Sequence, residues 1–501
     1  MSVKRNVIAN YLGQGWVAVM GLAFVPLYIR LLGMEAYGLI GLFAVMQAWL
    51  TLLDMGMTPT LGREMARFTA GDHSPQSIRN LLRSLEIVAF VVGVAICLGI
   101  LVTSGWLAND WLRAEKLPTH TVANAISVMS LVVALRFVES IYRSALFGLQ
   151  RQVWYNAVNS VLATVRGAGA LLVLTNVSAT ISAFFMWQAV VSLLSIAVFA
   201  AGVYRALPHA PERARFSSTA LLGVWRFAGA MMGITFLALL LTQVDKVLLS
   251  RLISLEAFGY YTFAATVAGA LYLAITPITT AMFPRWVELV SQARTAALAA
   301  SYHRGSQLVV ALTAPAALLL TFFGEGVLFA WSGDAVLARH AGPLLSVLAF
   351  GTFLNGLMYM PCQLQLAHGW TSLGLMVNIA AVMVLVPAIF WVVPSHGALG
   401  AAWVWIALNV GYLIVAIHLM HRRILPAEKW RWYIGDVALP ASGALASLFL
   451  MDRFRPVDLS NRLAWLAFLM LGLLGAVAAS VAMIKVLRVR LFVSIHSAKS
   501  P

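Results

Sequence analysis

Leu32-Gly33-Met34-Glu35-Ala36-Tyr37-Gly38 and Ile253-Ser254-Leu255-Glu256-Ala257-Phe258-Gly259 lie 221 residues apart and read as one motif written twice. The same offset places Arg30 on Arg251. Each copy is followed by an apolar segment and then by a basic amphipathic stretch, residues 63–83 in one case and 285–304 in the other. Six apolar segments separate the copies. Six is even, so the two halves enter the membrane in the same direction and are related by an axis along its normal, as in transporters built from parallel repeats.

The chain around the repeat is apolar. Of 501 residues 61% are hydrophobic and only 10% charged, against roughly 25% charged in an ordinary soluble domain. Stretches able to cross about 30 Å of hydrocarbon, which takes roughly 20 helical residues, centre near residues 21, 47, 94, 134, 164, 190, 238, 268, 315, 351, 382, 409, 442 and 473. The expected fold is an all-α integral membrane protein of about fourteen spanning helices. Residues 1–210 form an N-terminal six-helix lobe and 211–425 a second one. Residues 426–501 add helices 13 and 14 with a cytoplasmic tail. The weakest spans are the fifth, interrupted by Asn156, Asn159 and Arg166, and the thirteenth, diluted by Pro440. No small-residue cleavage site closes the first apolar run, which reads as a retained helix rather than a signal peptide.

Basic residues outnumber acidic ones by 34 to 18. They are scattered through short loops rather than gathered on a solvated face, which speaks against a nucleic-acid partner and for anionic headgroups of membrane lipids. Lys and Arg favour cytoplasmic loops. With the N-terminus inside, 22 of the 34 fall on inner segments, 8 on outer ones and 4 within the membrane. Both ends are therefore expected in the cytoplasm. Trp106 and Trp111 outside, with Trp225, Trp286, Trp430 and Trp432 inside, match interfacial aromatic belts. Cys97 and Cys362 lie in apolar runs and read as packing residues.

A charge at membrane depth costs about 2.5 to 3.5 kcal/mol on insertion scales and marks a functional candidate. Arg136, Glu139 and Arg143 recur at three, four and seven residues and share one helical stripe. Two arginines flanking one carboxylate leave an excess positive charge suited to an anionic headgroup such as a diphosphate. An internal ion-pair ladder is the alternative. Asn156, Asn159 and Arg166 form a second stripe, readable as cavity lining or as interhelical hydrogen bonding, and Gln14 is a further cavity candidate. Asp245 beside Lys246 admits an ion-coupling role or a structural pair; Glu139 is the other ion-coupling candidate. Adjacent residues do not share a helix face, so at least one of Asp245 and Lys246 should need another partner. Asp54 lies near water at an inner helix end, and His368, His396 and His418 read as interfacial.

The motifs of common catalytic sites are missing. No lysine follows a glycine, so there is no phosphate loop for ATP; no Asp-x-Asp pair and no His-Glu-x-x-His motif occur. The outer loops, of which 104–121 and 324–343 are the longest, are too short for a catalytic domain. The reading is a protein that is not an enzyme and needs no cofactor or metal.

Asn10, Gln14, Pro26, Leu27, Tyr28, Arg30, Leu32, Gly33, Tyr37 and Gly38, continuing through Leu53-Asp54-Met55-Gly56 to Arg63, resemble the polysaccharide exporters of the multidrug/oligosaccharidyl-lipid/polysaccharide superfamily. Gln243, Asp245 and Phe258-Gly259-Tyr260-Tyr261 look like that family's second-half signature. The resemblance implies a flippase of the O-antigen type in the bacterial inner membrane. Such a protein carries an undecaprenyl diphosphate-linked oligosaccharide, the repeat unit of an O-antigen or exopolysaccharide, across the bilayer by alternating access. A gradient of protons or sodium drives it, and polysaccharide assembly proteins are implied partners. On this view Arg136, Arg143 and Arg166 contact pyrophosphate or acidic sugar. A departure is Glu139, which neutralises part of the field. A drug or cation antiporter of the same superfamily would call for an acidic cavity, whereas the embedded excess here is basic. A membrane glycosyltransferase or polymerase and a passive scaffold are the remaining alternatives.

Overall fold

The computed structural model describes residues 3–54, 56–208, 210, 212–218, 236 and 239–497, with side chains from Ile8 to Ile484. Met55, Trp225, Arg226 and much of the expected seventh span lie outside the described residues. The described chain is helical, with one isolated bridge between Arg113 and Ser254. Helices exhaust their backbone hydrogen bonds internally, the condition for crossing lipid.

Eleven helices are long and apolar enough to span, or twelve if the pair Leu255–Gly269 and Tyr272–Ser291, bent by 41°, is one span. The fourteen expected from hydropathy are not reached among the described residues, and two features account for the shortfall. The seventh is largely undescribed. The eleventh and twelfth run together in one helical element, Ser372–Gly411, in which Gly397 takes φ 57° and ψ −149°. A straight helix would separate residues 34 apart by roughly 50 Å. Yet the Tyr412 hydroxyl donates to Asn378 Oδ1 at 3.3 Å. The element is therefore a helical hairpin turning at Gly397, whose positive φ a side chain would oppose.

The chain divides into two compact units, Met1–Gly259 and Tyr260–Pro501. In the first, the helix Thr119–Gly148 packs against Met34–Leu53, Met57–Thr69, Pro75–Trp106 and Ile181–Ala206, while Val3–Ala23 lies along Gln152–Asn176. In the second, Thr295–Ser332 packs against Ala335–Leu357, Tyr272–Ser291, Leu439–Asp452 and Arg462–Ser497. The helices expected as 13 and 14 thus pack on each other and on this one.

The repeated motif meets itself inside the first unit. A Cβ on Gly38 would fall 2.4 Å from the Leu255 carbonyl oxygen, and one on Gly259 would fall 2.5 Å from that of Met34. The offset of 221 pairs Met34 with Leu255 and Gly38 with Gly259, so the contact is reciprocal, as a pseudo-two-fold relation requires. The two motif glutamates hold the loop after Trp111. Buried Glu35 accepts from the backbone amides of Lys116 at 2.9 Å and Leu117 at 2.8 Å, while Glu256 pairs with Lys116 Nζ at 2.5 Å.

Candidate functional site

The stripe on Thr119–Gly148 faces the helix Gln152–Asn176. Glu139 is buried, Arg136 half-buried and Arg143 exposed. Across from them Arg166 Nη2 stands 3.8 Å from Glu139 Oε2 and donates to Ser195 Oγ at 3.4 Å. Arg136 lies in the field of Glu139, Tyr155 and Arg143, and Arg143 hydrogen-bonds the Tyr155 hydroxyl. Arg166 from one helix thus meets Glu139 on the other, where Arg136 and Arg143 share the carboxylate's stripe.

Their hydrogen-bonding capacity is not used up. Glu139 Oε2, Arg136 Nε and Arg166 Nε are buried with no hydrogen-bond partner among the described residues. Buried polar groups are nearly always satisfied, so such orphans demand an explanation. At 3.8 Å the Arg166–Glu139 contact is a loose ion pair, too long for a charge-assisted hydrogen bond. The group as a whole carries an excess of positive charge, three arginines to one glutamate.

Arg166 is held in place by its neighbours. Trp16 Nε1 donates to Thr164 Oγ1 at 2.9 Å, and the Tyr28 hydroxyl donates to the Gly167 carbonyl at 2.8 Å. The first span is thereby fastened on either side of the arginine. Asn156, buried, donates to Asn10 Oδ1 at 2.6 Å, and Asn10 donates to Gln152 Oε1 at 2.8 Å. Of the two readings of that stripe, Asn156 makes the interhelical hydrogen bonds. Asn159 is half-buried and Gln14 exposed.

Asp54 lies one residue beyond the span Met34–Leu53. It accepts from the Thr58 amide at 3.1 Å and from the Thr58 hydroxyl, fixing the start of the amphipathic helix Met57–Thr69. Burial pushes its carboxyl above the usual range, more than the Thr58 hydrogen bonds and the Arg143 charge draw it down. Asp245 and Lys246 pair with each other at 3.3 Å, and Lys246 also donates to the Thr242 carbonyl at 2.8 Å. The flexible lysine stem permits a contact that helical spacing alone argued against. Cys97 sits beside Ser130 Oγ, whereas Cys362 keeps an exposed surface.

The second unit holds polar groups that the sequence reading passed over. The Tyr272 hydroxyl donates to Asn355 and Asn355 to Asn409, both at 2.8 Å, and Asn409 is fully buried. Near the start of the helix Thr295–Ser332, His303 lies between Asp436 and Glu428. These partners are 54 to 133 residues apart, beyond any local periodicity. The one available signal was an aspartate inside an apolar run at 436.

The family model for "Polysaccharide biosynthesis protein" matches residues 3–290. A "Putative O-antigen transporter" of Shigella flexneri is 20% identical over 406 residues, covering 81% of this chain and 94% of that protein. The fold is similar to that of a solved lipid II flippase, MurJ, in an inward closed conformation. That likeness has a TM-score of 0.72 and 12% identity, over 97% of this chain and 100% of that one. An inward-facing multidrug transporter of the MATE family superimposes with a TM-score of 0.61 and 14% identity, over 86% and 96%. At such identities the solved structures speak for the fold, which is of the MurJ and MATE type. The matched residues exceed half the chain, and the protein belongs to the polysaccharide biosynthesis protein family.

Proposed function

We propose that this protein is a flippase that moves an undecaprenyl diphosphate-linked oligosaccharide, an O-antigen or exopolysaccharide repeat unit, from the inner to the outer leaflet of the bacterial inner membrane. The observation that carries the reading is the loose 3.8 Å pairing of Arg166 with Glu139, beside Arg136 and Arg143 on the same stripe, with buried guanidinium and carboxylate atoms that have no hydrogen-bond partner among the described residues. A diphosphate diester bears a negative charge on each phosphorus. Planar guanidiniums bind such oxygens in bidentate fashion, and do so more strongly away from water. The O-antigen transporter among the relatives and the lipid II flippase fold support a cargo of this class.

In this reading the lobes 1–210 and 211–425 alternate in exposing the arginines to one leaflet and then the other, and 426–501 is an appended pair. Both termini are cytoplasmic. Proton or sodium movement drives the cycle, with Glu139 and Asp245 as coupling candidates, and polysaccharide assembly proteins receive the product. The chain's part is to bind and reorient the headgroup; no bond is made or broken.

Deleting the gene and following the lipid-linked glycan by leaflet tests the proposal. The glycan should accumulate on the cytoplasmic leaflet, and undiminished translocation would sink the idea. Formation of a glycosidic bond by the purified protein would instead favour an enzyme.

A further inference from the structure

His303 sits near the start of the helix Thr295–Ser332 and is 2% exposed; Asp436 is 0% exposed. One ring nitrogen, Nδ1, makes a short hydrogen bond to Asp436 Oδ2, and the other, Nε2, lies 2.9 Å from Glu428 Oε2. Gln307 Nε2 donates to the remaining Asp436 oxygen at 2.9 Å. Ionised carboxylates only accept, and a neutral imidazole has one N–H. Two carboxylate contacts on one ring therefore require a second proton, whichever of the three groups carries it.

We propose that Asp436, His303 and Glu428 form a proton-binding site, in which one exchangeable proton held between two carboxylates clamps the start of the span Pro426–Asp452 to the helix Thr295–Ser332. The site is separate from the arginine cluster and stands whether or not the protein is a flippase.

The surrounding charges leave the proton its role. Lys429 is taken by His418 Nδ1 at 2.8 Å, and Arg431 reaches Glu428 at 3.4 Å. Among the described residues, no lysine or arginine comes within ion-pair distance of Asp436. Tyr433 donates to the Leu413 carbonyl. His421 Nε2 and the Tyr302 hydroxyl, packed against the cluster, are buried without a partner among the described residues.

When the extra proton leaves, the ring keeps one donor and one contact must open. Asp436 is fully enclosed and also held by Gln307, whereas the Glu428 side chain is 24% exposed and has Arg431 as a second partner. The Glu428 contact is the one to part. It lies three residues after Leu425, which is held at φ 53° in the left-handed region disfavoured for leucine.

The test is 15N NMR of histidine-labelled full-length protein in lipid nanodiscs, with His303→Gln used to assign the ring by difference. At about pH 6, the wild-type ring should show two N–H protons, or one N–H with a protonated carboxyl visible in the infrared. Glu428→Gln, at a partly exposed position that leaves the buried pair intact, should lose one of these protons. Asp436→Asn should do the same if it folds. A wild-type ring with a single N–H and no protonated carboxyl overturns the proposal, as does a Glu428→Gln spectrum identical to wild type.

Discussion

The two compact units each bury ionisable groups, and they treat them in opposite ways. In the first, Glu139 has arginines on its own helix and on the facing one, its ion pair with Arg166 is 3.8 Å long, and Arg136 Nε and Arg166 Nε lack hydrogen-bond partners among the described residues. In the second, His303, Gln307 and Asp436 saturate one another at hydrogen-bonding distance. A saturated network has nothing left to offer a ligand beyond the proton it encloses and acts on the packing around it. An unsaturated one with an excess of one sign costs stability that a further counter-charge would recover. The difference teaches where to look for cargo, and that is among the arginines.

The largest effect should come from reversing charge in the unsaturated cluster. Each charge-assisted hydrogen bond lost is worth about 1.5 to 3 kcal/mol, or roughly ten- to hundredfold in affinity. Arg143→Glu, at an exposed position, should therefore sharply weaken binding of a diphosphate-bearing lipid, measured by calorimetry in detergent, while melting changes little. The saturated cluster should behave the other way. Asp436→Ala breaks the buried Asp436–His303 pair and takes the partner from Gln307, which should cost about 3 to 5 kcal/mol, seen as a lower melting temperature with diphosphate affinity unchanged. Gln307→Leu leaves one Asp436 oxygen without its donor, and about 1 to 3 kcal/mol of stability should go. Smallest is Asn10→Ala, which removes a hydrogen-bonded link between the first span and Gln152–Asn176 and should cost about 1 kcal/mol. An Asp436 variant that weakens diphosphate binding as much as the Arg143 variant would erase the distinction between the clusters.

Much of the fold was legible in the sequence because lipid imposes simple rules. Span length and the doubled Glu-Ala-aromatic-Gly pattern follow from hydrophobicity and spacing alone, and the two motif copies meet through their glycines. The two spans read near 382 and 409 correspond to the arms of the element Ser372–Gly411, and what hydropathy did not reveal is that the chain turns between them at Gly397 with no break in helical assignment. In the site, the stripe of Arg136, Glu139 and Arg143 was visible as helical period, and Arg166 as an embedded charge. That Arg166 comes to Glu139 needed the packing of two helices. The Asp245–Lys246 pair ran against the rule that neighbours diverge. His303 and Asp436 went unread because their meaning depends on a contact across 133 residues, and neither is unusual where it stands.

The central claim is that the arginines handle an anionic lipid headgroup in transit. It is tested most directly by the leaflet distribution of the lipid-linked glycan in cells carrying Arg143→Ala and Arg166→Ala, with the amount of protein in the membrane measured alongside. The account predicts wild-type protein levels and glycan trapped on the cytoplasmic leaflet. Glycan reaching the outer leaflet at the wild-type rate would contradict it.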